Sequence, residues 1–211
     1  CGDADAMVTG NTRHYAATVE KLMMAVGPRE NETVFGMCIF VNQGKTTIIA
    51  DTNVIEYPTS EELAEMAISS SRVARLLGLD PKVAFLSHST FGQPETDRTK
   101  RVAKAVEILK QKEVDFIFDG EMQPDVALNA KYKSTYPFSK LVGNANILLM
   151  PSIHAAAISI KLLKELSRGK VIGPLLIGLD QPIEVAPLRS TSYELLNLAS
   201  IAAFSSEIIK Y

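Results

Sequence analysis

Short, nearly continuous apolar runs alternate with longer stretches whose apolar residues recur at helical spacing, and this alternation constrains the chain more than any other feature. Val34–Val41, Thr46–Asp51, Val83–Ser87, Val114–Phe118, Ile147–Met150 and Val171–Ile177 have the length and character of buried strands. Residues 11–26, 59–77, 99–112, 155–166 and 191–209 read as helices. Strands alternating with helical patterns of roughly 12 to 18 residues predict an α/β domain, three-layer α/β/α, with a mostly parallel sheet. The 211 residues suffice for one large domain or one and a half smaller ones.

Local chemistry supports these elements. Thr59-Ser60-Glu61-Glu62 and Thr191 to Glu194 are capping boxes, in which a threonine hydroxyl takes a backbone donor and a glutamate three residues on reaches back. Gly27-Pro28 and Gly78 read as helix stops. Leu63, Met66, Ala67, Ser70, Val73 and Leu77 form the expected inner stripe of one helix, and Val102, Val106 and Leu109 that of the next. Asn42-Gln43-Gly44 joins two strands. Gly44-Lys45-Thr46 is not the end of a phosphate-binding P-loop, because Ile39 stands where the motif needs glycine and a strand follows. His14 reads as a structural group on its helix, and His154, in the first turn of another, as a local cap or packing group more often than a donor to a ligand.

With 22 basic and 24 acidic residues the net charge is −2, so there is no electrostatic case for nucleic acid. No apolar run approaches the ~20 residues of a membrane span, and the expectation is a cytoplasmic protein without membrane contact. Cys1 and Cys38 suggest neither a disulfide nor a metal site. A chain that begins Cys1-Gly2-Asp3 is expected to be a piece of a longer polypeptide.

The richest polar stretch is Val114–Asn129, in which Asp119, Glu121, Gln123 and Asp125 follow an apolar run at spacings of two. A strand ending at an Asp119-Gly120 turn would set these groups at the carboxyl edge of the sheet, where open α/β sheets bind ligands. The bland alternative is a strand end and a helix start with Asp125 as cap. His88-Ser89-Thr90-Phe91-Gly92 is a second candidate loop, and equally an ordinary helix entry. Lys131, Lys133 and Lys140 could meet ligand phosphates or simply be solvated. A domain boundary is expected near Asp180–Ser190, giving a domain over 1–180 and a return segment with a terminal helix over 181–211.

Five blocks carry a resemblance: residues 2–10 (GDADAMVTG), 87–90 (SHST), 119–125 (DGEMQPD), 143–148 (GNANIL) and 172–175 (IGPL). Together and in this order they resemble the phosphate acetyl/butyryltransferase family. Ser89-Thr90-Phe91-Gly92, Ala50-Asp51-Thr52 and Tyr136-Pro137-Phe138-Ser139 are most similar to the phosphotransacetylase-like C-terminal region of bifunctional NADP-dependent malic enzymes. The resemblance implies a phosphotransacetylase-like fold related to the isocitrate and isopropylmalate dehydrogenases, at least a homodimer, and a cleft for coenzyme A or acetyl-CoA. Its lining would include Ser89, Thr90, Asp119, Glu121, Gln123, Lys133, Asn144 and Asn146. NADP and a divalent metal would belong only to the missing malic-enzyme part.

In that family a Ser-Arg pair holds phosphate and carbonyl oxygen, and an Asp on the last helix assists thiol deprotonation. Those positions fall on Pro187, Leu188 and Glu194, with Arg189 as a possible substitute for the arginine. Loss of one such oxyanion contact is worth about 10²–10³ in rate. The expectation is therefore a regulatory acyl-CoA-binding and oligomerisation domain without acetyl transfer. The alternatives are a working phosphate acetyltransferase that uses Arg189 and Glu194, and a dimer-forming scaffold that binds nothing.

Overall fold

Successive residues of a strand face opposite ways, and in the central strands both faces are apolar, so helices must cover both. The structure is a computed structural model that describes residues 3–209, without the side chains of Lys133, Ile208 and Ile209. Cys1 lies outside the described residues.

In chain order the elements are β1 (Met7–Gly10), α1 (Tyr15–Ala25), β2 (Phe35–Asn42), β3 (Lys45–Ala50), α2 (Ser60–Leu76), β4 (Lys82–Leu86) and α3 (Asp97–Gln111). They continue with β5 (Ile117–Met122), α4 (Pro124–Leu128), a 3-10 turn (Ala130–Ser134), β6 (Ile147–Leu149), α5 (Ile153–Leu166), β7 (Lys170–Ile177), β8 (Ile183–Ala186) and α6 (Ser192–Ile209). Six strands form one sheet in the order β5-β4-β6-β3-β2-β7. All its pairs are parallel except the two made by β2.

Ile48, Ala50, Val83, Phe85, Ile147 and Leu149 pack with Leu63, Met66, Val102 and Leu109 of α2 and α3. Their neighbours Ile49, Ala84, Leu86, Leu148 and Met150 pack on the other face with Ala127 of α4 and Ala156 of α5. Burying side chains of leucine or phenylalanine size contributes roughly 1.5–3 kcal/mol each. The result is the expected three-layer α/β/α sandwich with a mostly parallel sheet.

Both predicted capping boxes are present: Glu62 N donates to Thr59 Oγ1 at 3.1 Å and Thr59 N to Glu62 Oε2 at 2.7 Å, with the same pattern at Thr191 and Glu194. The β2–β3 turn is a two-residue hairpin, and both Gln43 (φ 49°) and Gly44 (φ 74°) adopt the left-handed conformation that such a tight turn requires. Leu77 leaves the expected α2 stripe and is 43% exposed, because it is already the C-cap and the chain turns at Gly78.

One expectation is corrected. The chain does not turn at Asp119-Gly120: β5 continues to Met122, and the register shifts by one residue where Leu86 pairs with Met122. Two strands had no local signal. β1 and β8 pair in parallel, Met7 opposite Ile183 through Gly10 opposite Ala186, as a separate two-stranded sheet. Finally, β7 passes Gly173-Pro174 by a bulge opposite Cys38, where a Cβ on Gly173 would lie 2.8 Å from Met37 O.

β8 buries Glu184, whose Oε2 accepts from Leu176 N at 2.9 Å. Burial pushes this carboxyl up to about 8, and the Leu176 hydrogen bond offsets only part of that. The folded state thus holds a proton that the unfolded chain releases above its ordinary value of 4.5. Stability from this group is fully present below that value and is lost as pH rises towards about 8. Glu184→Gln keeps an acceptor for Leu176 N and should flatten the decline, which thermal melting from about pH 5 to about pH 9 will show. An unchanged pH profile would contradict the assignment.

Candidate functional site

β3 ends at Ala50, and the next residue, Asp51, organises the loop beyond it. Asp51 is 1% exposed. Its Oδ1 accepts from Gly36 N at 2.7 Å, Asn53 N at 3.0 Å and Val54 N at 3.3 Å, while Oδ2 accepts from Ile55 N at 2.5 Å. The loop so folded places Thr52 and Asn53 on one wall of a cavity of about 330 Å³. α5 contributes Lys161 and Lys164, β2 contributes Cys38, and β7 contributes Gly173 and Pro174. The β8–α6 connection closes the cavity with Pro187, Leu188, Arg189, Ser190 and Glu194. All four C-terminal candidates from the sequence therefore meet at one cavity.

Their chemistry differs. Pro187 carries no side-chain donor, and Leu188 is an aliphatic side chain 48% exposed. Arg189 has a left-handed backbone (φ 64°), and its N–H donates to Asn11 O at 3.2 Å. Glu194 is engaged on both oxygens: Oε1 accepts from Lys164 Nζ at 2.7 Å, and Oε2 accepts from Thr191 N at 2.8 Å and Thr191 Oγ1 at 2.9 Å. Lys164 first, then the Thr191 N–H, hold its carboxyl down at about 2. The pair is partly solvated, with 30% of the Glu194 side chain exposed, so it contributes at most about 1 kcal/mol to stability. Cys38 on the same wall is buried, and burial pushes its thiol up to about 12, away from the thiolate form.

The other candidates form a separate brace at the far edge of the sheet. Glu121 is buried, and its Oε1 accepts from Ser89 Oγ at 2.7 Å and Gly92 N at 2.7 Å. Thr90 Oγ1 accepts from Gln123 N at 3.1 Å. Asp119 Oδ2 accepts from Ser139 Oγ at 2.8 Å and Lys140 N at 2.7 Å. Phe91 packs edge-on against Phe138 at 4.9 Å between centroids and tilts onto Tyr136 at 5.5 Å. The loop after β4, strand β5 and the 131–140 loop are thereby tied together. Gln123, at the N-cap of α4, keeps an exposed side chain. The side chain of Lys133 lies outside the described residues.

Asn144 Oδ1 accepts from Ala130 N at 3.1 Å. Asn146 sits at the opposite end of the sheet, where its Oδ1 accepts from Lys82 N at 2.8 Å and its Nδ2 donates to Asp80 O at 2.7 Å. It joins the amino ends of β4 and β6.

Sequence reasoning missed Thr52, Asn53, Lys161 and Lys164 as cavity residues. A signal existed for the lysines: spaced by three, they share one face of α5, with Ala157 a turn earlier leaving room above it.

The chain matches the family model for phosphate acetyl/butaryl transferase over residues 1–203, and it belongs to that family. It is 47% identical over 205 residues to an NADP-dependent malic enzyme of Rhizobium meliloti (strain 1021), covering 97% of this chain and 27% of that protein. It is 33% identical to the phosphate acetyltransferase of Bacillus subtilis (strain 168), covering 96% of this chain and 63% of that protein. A phosphotransacetylase from Streptococcus pyogenes superposes with a TM-score of 0.90 at 29% identity, covering 97% of this chain and 64% of that one. The chain thus spans about a quarter of the length of the malic enzymes it matches, and less than two thirds of these transferases. Among the described residues, no helix is long and apolar enough to cross a membrane.

The geometry gives Asn146 a structural load. Asn146→Ala leaves Lys82 N and Asp80 O to find new partners, at about 1–2 kcal/mol in this partly exposed setting. The urea midpoint should fall accordingly. If it does not move, the side chain is not bracing these strands.

Proposed function

We propose that this segment is the acetyl-CoA-binding, regulatory module of a longer NADP-dependent malic enzyme, and that it does not transfer acetyl groups. The observation that carries the reading is the state of Glu194. Thiol attack on acetyl phosphate needs a base for the thiol, a grip on the phosphate and a donor for the carbonyl oxygen. A general base works best with a pKa near the working pH. A carboxylate held at about 2 by Lys164 and Thr191 is a poor one. The side chains of Pro187 and Leu188 supply neither grip nor donor.

Binding is chemically well supported. Lys161, Arg189, Thr52 and Asn53 offer cations, a hydroxyl and an amide around the corner cavity, and these suit the phosphates and the amide-bearing arm of an acyl-CoA. The Ser89-Thr90 loop and the Asp119–Gln123 segment serve as braced walls of the wider cleft, with Gln123 at its exposed edge. Residues 181–211, with β1 paired to β8, are the return segment of a neighbouring lobe. Ile158, Leu162 and Leu166 are 60%, 52% and 81% exposed in one row of α5, which supports assembly as at least a dimer. The NADP and divalent-metal chemistry of such an enzyme belongs to the rest of the longer chain.

A second reading, an active phosphate acetyltransferase, is favoured by one fact: Arg189 lines the same cavity as Glu194. Calorimetric titration with acetyl-CoA, run beside an acetyl phosphate transfer assay, separates the two. The expected result is saturable binding without transfer, weakened about tenfold in Arg189→Ala through loss of a charge-assisted hydrogen bond. Transfer that disappears in Arg189→Ala would establish the second reading instead.

A further inference from the structure

A different cavity, of about 360 Å³, opens where the sheet reverses its winding. β4 leads through α3 to the edge strand β5, whereas its neighbour β6 leads through α5, on the other face, to β7 at the opposite edge. Adjacent parallel strands that depart in opposite senses leave a crevice beyond their carboxyl ends, and such crevices take ligands in open α/β sheets. Here Ser87 and His88 follow β4, Pro151 and Ser152 follow β6, and α3 turns Arg98 and Arg101 into the space.

Its charge is one-sided. Among the described residues, no carboxylate lines the crevice. Arg72 and Arg75 each hold a carboxylate at 2.8 Å, but among the described residues neither Arg98 nor Arg101 forms an ion pair. Both guanidinium groups instead lie over the Tyr57 ring, at 5.8 and 6.0 Å from its centroid. Arg101 donates from Nη2 to Pro151 O at 2.7 Å, while its Nε–H is buried with no acceptor. Burial first, then the neighbouring Arg98 charge, lowers the pKa of Arg101. Two unneutralised cations side by side, one with an unmet donor, are at a disadvantage that an entering anion removes. The amino end of α5, capped by Ser152, borders the same space and adds positive potential.

We propose that this crevice binds a phosphate group, either free or as the terminal phosphate of an ester. Arg98 and Arg101 are its charged ligands, and Ser87, His88 and Ser152 are hydrogen-bonding neighbours. A phosphate dianion matches the two guanidinium charges, and its several acceptor oxygens can take donors converging from both strand ends. The volume exceeds that of a bare phosphate and leaves room for an ester. This crevice shares no lining residue with the corner cavity, so the inference stands apart from the acetyl-CoA reading.

The test is calorimetric titration of the folded protein, at low ionic strength, with inorganic phosphate and with glycerol 3-phosphate. Saturable binding is expected, weakened about tenfold in Arg98→Ala and further in the Arg98→Ala/Arg101→Ala double variant. Lys100→Ala removes an equal charge from the same helix outside the crevice, and binding should be unchanged. Tighter binding of glycerol 3-phosphate would identify an ester as the natural ligand, and equal or tighter binding of phosphate the free anion. Arg98 is exposed, so Arg98→Ala alone decides the matter if loss of the Arg101–Pro151 contact unfolds the double variant. Absence of saturable binding to either probe, or equal weakening by Lys100→Ala and Arg98→Ala, would overturn the proposal.

Discussion

One buried carboxylate sets the geometry on which both cavities depend. Asp51 gathers four backbone N–H groups, three from the loop that follows it and one from Gly36 on the neighbouring strand β2. Burial raises its pKa, and the four hydrogen bonds pull it back. Desolvating a carboxylate costs several kcal/mol, but charged hydrogen bonds return about 1.5–3 kcal/mol each, so four suffice to keep it inside. The brace also dictates residue 36, because a Cβ there would lie 2.9 Å from both Asn53 N and Thr52 Oγ1. One end of the tightened loop presents Thr52 and Asn53 to the corner cavity. Beyond its other end, Glu56 O accepts from Ile153 N at 3.1 Å, which ties the α5 start to the segment carrying Tyr57.

Acidic side chains at the other sheet edge follow the same logic. Asp119 and Glu121 are buried, and loop donors from residues 89–92 and 139–140 meet them. Their first task is to hold loops, which is why an acid-rich strand end need not be a proton-transfer site. Arg98, Arg101, Lys161 and Arg189, which form no ion pair among the described residues, instead line cavities.

Much of the sheet was legible in the sequence, because continuous apolar runs and the two threonine-glutamate capping boxes act locally. The β2–β3 hairpin was readable for the same reason: its turn chemistry lies in Asn42-Gln43-Gly44. The features that escaped reading depend on distant partners. β1 and β8 are four residues each, pair across most of the chain, and carry a glutamate in β8 that looks solvated until Leu176 N is seen against it. Asp119-Gly120 looked like a strand end because nothing local reveals that β4 pairs past it to Met122. Asn146 looked like a ligand group from its family block, and its partners at Asp80 and Lys82 appear only once β4 and β6 are placed side by side. The corner cavity was half legible: the segment from Pro187 to Glu194 could be read, whereas the lysines of α5 required the fold.

Whether Arg189 can stand in for Leu188 turns on how tightly their segment is pinned. Upstream, Ala186 pairs with Gly10 in the β1–β8 ladder, and its carbonyl accepts from Asn11 N at 3.0 Å. Downstream, the Thr191–Glu194 capping box fixes the first turn of α6. Only Pro187, Leu188, Arg189 and Ser190 lie between, and they are bridged by Arg189 N to Asn11 O and Ser190 N to Pro187 O. A one-residue slip that moved Arg189 into the place of Leu188 would have to break the ladder or the cap, and would carry the left-handed backbone at Arg189 onto a neighbour. Arg189 therefore acts from its own position or not at all. From there its guanidinium shares a wall with Lys161 and Lys164, an arrangement suited to holding an anion. Glu194 on the same cavity has both carboxylate oxygens engaged, one by Lys164 and the other by Thr191.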